Sequence, residues 1–514
     1  MSLSESSFVS WLASLGLVVD MANGAPETTA LRGTWVASVA AEELGLDETD
    51  RAAAVFGALF RYLGCTSYAA EETRLLGDEH EAALLLAPID TNDPAKLVRA
   101  VGRDLGKDDP AFERALRLAR FVAGGNAFLE GYRASHCEGA VMLSERLDVV
   151  PRVRDVLASL HERWDGRGGP DGLAGERIPV ASRVVHLARE STVQLMTGSD
   201  ETGVVRCLAE RASHQLDPHM CRTLAESPRF LRAFRDEPLW EKVVESLETS
   251  RAHAFGKMPS IDTVAEVFGD FADQKCPWFV GHARRVAELV AGASDELGLD
   301  PITRARLVRA AWLHDVGRVG VPNRIWQSPR TLGVMEWEKV RLHAYVAERI
   351  CLHLDPTIAA WVGGHHERSD ESGYARGKKP DLPTAVLAAG DVLAALEAER
   401  PHRPRLDESA RVRMLEDEVK LGRLPAEAVR AVLAVVGRPS RVSEVPRTEE
   451  LTAREREVLA WVARGLSNKE VAAKLGISSR TVQAHTIHAY DKLGVRTRAG
   501  AALRASELGL LRTS

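Results

Sequence analysis

The sequence predicts an all-α protein, on three observations. Alanine, leucine, glutamate and arginine dominate almost the whole chain. Apolar residues recur at three- and four-residue spacings, as in Arg304-Ala305-Arg306-Leu307-Val308-Arg309-Ala310-Ala311-Trp312-Leu313, which is the helical period. Helix punctuation is explicit near the C-terminus, where Thr452 stands three residues before Glu455 and Gly465 and Gly476 follow apolar-periodic segments.

A length of 514 residues predicts about three domains at roughly 150 residues each. The apolar fraction of 45% and charged fraction of 27% are those of an ordinary globular protein and exclude disordered, collagen-like and membrane classes. The apolar run from Phe8 to Met21 is interrupted by Ser10, Ser14 and Asp20 and lacks a basic flank, so neither a membrane span nor a signal peptide is expected. The chain is therefore expected in the cytoplasm. Six cysteines lie far apart without a C-x-x-C pair and are expected to be reduced. Pro, Gly and Ser break the helical pattern at Met258-Pro259-Ser260 and again between Gly437 and Pro446.

Two anchors repeat in order. Glu43-Leu44-Gly45-Leu46-Asp47 followed by Ala58-Leu59-Phe60-Arg61-Tyr62-Leu63-Gly64 echoes Glu296-Leu297-Gly298-Leu299-Asp300 followed by Ala311-Trp312-Leu313-His314-Asp315-Val316-Gly317. Leu160-His161-Glu162-Arg163 likewise echoes His365-His366-Glu367-Arg368. A duplicated domain follows. The expected organisation is a first copy at 1–255, a second at 256–437, a linker at 438–448 and a C-terminal module at 449–514.

From Glu449 onward the chain carries eleven Lys or Arg against seven Asp or Glu, although its net charge is −6. This asymmetry suits a nucleic-acid module on an acidic body. Within it, a helix opening at Thr452, a second from Ser467 to Leu475 and a third starting at Ser478 or Ser479 make a helix-turn-helix. Arg480, Thr481, Gln483 and His485 lie in the first turns of the third helix, where a recognition helix meets the major groove, and Val482, Ala489 and Leu493 make its inward stripe. Lys469, Lys474, Lys492, Arg496 and Arg498 are candidates for phosphate contacts. Leu451-Thr-Ala-Arg-Glu-Arg-Glu-Val-Leu, Gly465-Leu-Ser-Asn-Lys-Glu-Val-Ala and Lys492-Leu-Gly-Val closely resemble the LuxR-type (GerE-like) DNA-binding domain. The resemblance implies four helices, binding to double-stranded DNA, and a last helix near Arg498–Leu508 that pairs two modules as a homodimer.

The second copy contains His282, His314-Asp315, His343, His365-His366 and Asp391. Imidazole with carboxylate suits divalent iron, manganese or zinc, and a shared Asp can bridge two ions about 3.5–4 Å apart. With His314-Asp-Val-Gly-Arg-Val-Gly-Val-Pro and Ser372-Gly373-Tyr374, the segment resembles the HD superfamily of metal-dependent phosphohydrolases and its HD-GYP branch. The resemblance implies tandem helical HD bundles, a centre of two or three metals on those seven residues, Asp315 and Arg318 as catalytic groups, Gly373 and Tyr374 in a substrate loop, and cyclic di-GMP or another phosphorylated nucleotide as ligand. Arg318 replaces the family's lysine, Glu371 a glycine and Ala375 the proline of Gly-Tyr-Pro. An arginine holds phosphate but does not readily donate a proton.

The first copy has Thr29, Arg61-Tyr62, Leu160 and Arg189 at ligand positions and keeps only His136 and His161, so it is expected to be inactive. Three functions follow: a regulator whose HD-like region binds metal and senses or hydrolyses a nucleotide, a phosphodiesterase with an accessory DNA-binding tail, or a regulator with a non-catalytic dimerising scaffold.

Overall fold

The computed structural model describes residues 8–107, 109–436 and 451–511. They are helical throughout, with isolated β-bridges and no strand among the described residues. They fall into two compact units divided between Ser260 and Ile261, at the Met258-Pro259-Ser260 break. The expected linker, 438–448, lies outside the described residues.

The first unit is built on α1 (Phe8–Ala22), α2 (Thr29–Glu43), α3 (Glu48–Phe60), α4 (Ala111–Arg146), α5 (Pro151–Ala158) and α6 (Val180–Met196), with shorter helices between them. α1 is the apolar N-terminal run, and its Trp11, Leu12, Leu15, Val18 and Val19 are buried against the bundle, which is why it is apolar. The second unit repeats the plan with α7 (Ile261–Gln274), α8 (His282–Glu296), α9 (Pro301–Leu313), α10 (Val334–Cys351), α11 (Pro356–Gly364) and α12 (Leu382–Glu397). The repeat extends to single groups. In each unit a buried aspartate closing the first helix accepts the backbone N–H one residue into the second: Asp20 from Ala30 and Asp273 from Ala283. The residues that head α2 and α8, Thr29 and His282, follow left-handed N-caps, Thr28 and Gly281. An Asp N-cap, Asp47 or Asp300, opens the third.

Beyond α12 the second unit carries α13 (Ala453–Ala463), α14 (Asn468–Leu475), α15 (Ser479–Leu493) and α16 (Arg498–Glu507). The sequence signals are realised directly. Thr452 and Ser467 form capping boxes with Glu455 and Glu470, Gly476 is a left-handed C-cap, and Ser478 caps α15. Val458, Val462, Val471 and Val482 make a separate small core. All six cysteines are free and buried. Among the described residues no helix is long and apolar enough to cross a membrane.

One glycine positions the candidate site. Gly317 follows His314-Asp315, and a Cβ there would collide with the backbone carbonyl of His343; Gly64 sits in the same way against His136. The turn can approach the next helix only without a side chain. Gly317→Ala is expected to cost about 1–3 kcal/mol, by analogy with overpacked cores, read as a lower urea midpoint with an unchanged slope.

Candidate metal centre and helix-turn-helix module

The HD pair sits where α9 ends: His314 is the C-cap of α9 and Asp315 begins the following turn. His282 is the first residue of α8, His343 lies inside α10, His365 caps α11 with His366 next to it, and Asp391 is central in α12. The structure brings all seven together. Their donor atoms form two sets, His282-His314-Asp315-Asp391 and His343-His365-His366, each with its atoms within 4.8 Å of one another.

Asp315 joins the sets. Its Oδ2 is 2.9 Å from His314 Nε2 and 3.4 Å from His282 Nε2, while its Oδ1 faces His343 Nε2 at 3.3 Å and His365 Nε2 at 3.7 Å. Three histidines are aimed by the backbone: Nδ1 of His314, His343 and His365 donates to the carbonyl three residues earlier, on Ala311, Val340 and Val362. This fixes the tautomer and turns each Nε2 inward. Asp391 Oδ1 lies 3.1 Å from His282 Nε2.

Charge follows from this crowding. Burial disfavours the cation at His314, yet the Asp315 and Asp391 carboxylates lift its pKa to about 10. Burial also opposes ionisation of Asp315, but Arg318 and His314 hold its carboxyl well below the usual range. Burial, with the His314 charge, pushes His365 down to about 3. Both Asp315 oxygens are buried without a hydrogen-bond partner, as carboxylate acceptors that face a cation would be. Five imidazoles and two carboxylates of this geometry fit divalent metal ions.

Arg318 pairs with Asp315, and its guanidinium lies 4.6 Å from the Phe279 ring and 5.7 Å from Trp326. Tyr374 stacks on His366 with centroids 4.5 Å apart. Its loop is held by Glu367, whose carboxylate accepts the N–H groups of Arg376, Gly377 and Lys378. A Cβ on Gly373 would come within 2.5 Å of the Glu367 Cα and the His366 carbonyl, so this loop glycine is obligatory. Glu371 and Ala375, where the family pattern has glycine and proline, adopt left-handed φ values of 63° and 101°.

In the first unit Arg61 and Arg189 stand at the positions of His314 and Asp391, and His136 Nδ1 bonds His161 Nε2 at 2.8 Å. No metal-type donor group occurs there among the described residues. Sequence reading missed the buried His186 and Glu190 beside these arginines and the helix-capping Asp20 and Asp273. The equal nine-residue spacing from Asp20 to Thr29 and from Asp273 to His282 was the available signal.

In the C-terminal module Lys469, Arg480, Thr481, Gln483 and Arg496 are exposed and His485 is half-buried, with Ile487 and His488 adding to the open face of α15. Two of the candidate phosphate-contacting residues have partners inside the module. Lys492 binds Glu455 Oε2 at 2.8 Å, and Arg498 donates to the carbonyls of Val462 and Leu466, so both tie helices together. Lys474 lies over the Trp461 ring. Lys492→Met is expected to destabilise the module by about 1 kcal/mol, while Arg480→Ala leaves its melting unchanged. The Lys492 bond and the capping box hold the Glu455 carboxyl at about 2 rather than 4.5. A lowered carboxyl pKa stabilises fully above the ordinary value, so the contribution disappears as pH falls from about 4.5 toward 2, and Lys492→Met flattens that part of the acid-unfolding profile.

Both regions of the chain are similar to known proteins. Residues 449–505 match the model of bacterial regulatory proteins of the luxR family, and residues 132–198 and 266–424 match the HD domain. The chain is 28% identical over 451 residues to the 3'3'-cGAMP-specific phosphodiesterase 3 of Vibrio cholerae, covering 86% of this chain and 97% of that one. A crystal structure of the V. cholerae cyclic GMP-AMP specific phosphodiesterase V-cGAP3 superposes with a TM-score of 0.54 at 25% identity, covering 86% of this chain and 100% of that one. The probable transcriptional regulatory protein SgaR of Hyphomicrobium methylovorum is 57% identical over 51 residues, 10% of this chain and 24% of that one. The chain thus joins an HD-domain region, homologous to cyclic-dinucleotide phosphodiesterases, to a C-terminal LuxR-family DNA-binding module.

Proposed function

We propose that the second unit is a divalent-metal phosphodiesterase acting on a cyclic dinucleotide, and that its LuxR-type module binds DNA as a homodimer under the influence of that site. The observation that carries this reading is Asp315, one buried carboxylate whose two oxygens face two separate donor sets. A carboxylate so placed would serve as a ligand to metal in either set. His282, His314, Asp315 and Asp391 would hold one ion and His343, His365 and His366, with Asp315, the other; iron, manganese and zinc all suit these donors. Bound ions supply Lewis-acid polarisation of a phosphoryl oxygen and a water of lowered pKa. The similarity to a V. cholerae 3'3'-cGAMP-specific enzyme along most of the chain supports the substrate class.

The chain's own residues account for binding. The planar fork of Arg318 suits a phosphate oxygen, which it would hold without acting as a proton donor. Burial raises the pKa of the Tyr374 phenol, so it remains a neutral hydroxyl on the His366 edge of the site. A contact also links this site to the DNA-binding module: a methyl group at Gly281, the residue before His282, would lie 2.9 Å from the Ser506 hydroxyl of α16. Metal-dependent adjustment of His282 therefore acts next to the helix that pairs LuxR-type modules.

Purified full-length protein is expected to contain about two divalent ions per chain by elemental analysis and to linearise 3'3'-cGAMP or cyclic di-GMP, with His314→Ala plus Asp315→Ala abolishing both. Metal content without turnover would reduce the reading to a sensor, and no metal at all would overturn it. Metal uptake by the chelated protein at pH 7.5 is expected to release close to one proton, because His314 is charged up to about pH 10 and must be neutral to ligate. Calorimetry in buffers of different ionisation enthalpy measures this.

A further inference from the structure

The degraded site of the first unit is not empty of chemistry. A cavity of about 200 Å³ runs from an apolar wall that includes Leu84, Leu86 and Val193 to Arg61, Arg189 and His136. Arg61 occupies the position of His314 and Arg189 that of Asp391. Two guanidinium charges therefore stand where the second unit gathers metal ligands.

The two arginines are not equivalent. Arg189 pairs with Glu190, which also takes Arg211 and Gln215. Arg61 is only 6% exposed, yet its Nε and Nη1 have no hydrogen-bond partner. Its guanidinium centre lies 4.9 Å from the Tyr62 ring. Nε2 of the buried His136 is also unpartnered. The acids lining the cavity are engaged elsewhere: Asp90 by Arg163, Glu162 by three backbone N–H groups of its loop, Asp20 by Ala30, and Glu79 by Thr73. Glu72 also has a partner. A buried guanidinium whose N–H groups lack acceptors is costly until an anion meets them, and its planar fork fits phosphate oxygens in pairs.

The frame around these groups is also kept. Glu162 gathers the N–H groups of Asp171, Gly172 and Leu173, as Glu367 gathers its own loop, and a Cβ on Gly168 would collide with His161 and Glu162 as one on Gly373 does with His366 and Glu367. Cationic charge without a metal-ligand set suits binding but not the activation of water.

We propose that this cavity binds a phosphate-bearing small molecule without hydrolysing it, with Arg61 as the residue that pairs with the phosphate and the apolar wall taking the organic part. The test is thermal melting of the full-length protein in EDTA with millimolar phosphate, pyrophosphate or 3'3'-cGAMP, and acetate at equal ionic strength as control. At least one phosphate probe is expected to raise Tm by several degrees and acetate by none. Arg61→Met, which removes a buried guanidinium with unmet N–H donors, is expected to lose the shift. Arg61→Lys keeps the charge but not the fork and is expected to weaken binding about tenfold, providing the same comparison should Arg61→Met fail to fold. An undiminished shift in these variants, no shift with any phosphate probe, or an equal shift with acetate would each overturn the proposal. EDTA removes metal from the second unit, so the result is independent of whether that unit turns over a cyclic dinucleotide.

Discussion

A carboxylate at 2% exposure in the middle of a helical bundle is the constraint on which the second unit depends. Removing such an ion from water costs several kcal/mol even after relaxation, and the cost is offset only by opposite charge in good geometry. Asp315 meets this condition through His314 at the end of α9 and Arg318 in the turn that follows, while His282, His343 and His365 face its oxygens from α8, α10 and α11. Each of those helices is thereby fixed in rotation as well as position. The Gly317 turn, the Asp273 cap on α8 and the backbone carbonyls that orient three imidazoles all serve to hold that one carboxylate among its partners.

Much of this was legible in the sequence, for definable reasons. Helical periodicity and side-chain caps are local, so the four-helix C-terminal module was readable from Thr452, Ser467, Gly476 and Ser478. The seven-residue constellation was readable because chemistry restricts which side chains can gather around metal. Long-range pairing was not. Lys492 and Arg498 look like any surface cation in sequence, and only the fold shows them tied to Glu455 and to the carbonyls of Val462 and Leu466. The tautomers of the histidines and the left-handed backbone at Glu371 and Ala375 were equally invisible, because both are set by the packed backbone rather than by residue type.

The two units also show how little of a bundle's architecture depends on its reactive centre. Their helices open on matching caps, their aspartates close matching junctions, and their loops are drawn in by matching glutamates, although one site is rich in imidazole and the other in guanidinium. Side chains at a buried polar site can be exchanged for others of opposite charge when neighbours change with them, as Glu190 and Arg211 have around Arg189.

The first unit keeps the frame of the second around different side chains. His136 and His161 touch across its site, and only Thr29, Arg61, Tyr62, Leu160 and Arg189 separate its side chains from the constellation of the second unit. The backbone positions for those five remain at the head of α2, after α3, before His161 and inside α6. The chain thus holds one scaffold twice, and the difference between its two buried polar sites is one of side chains alone.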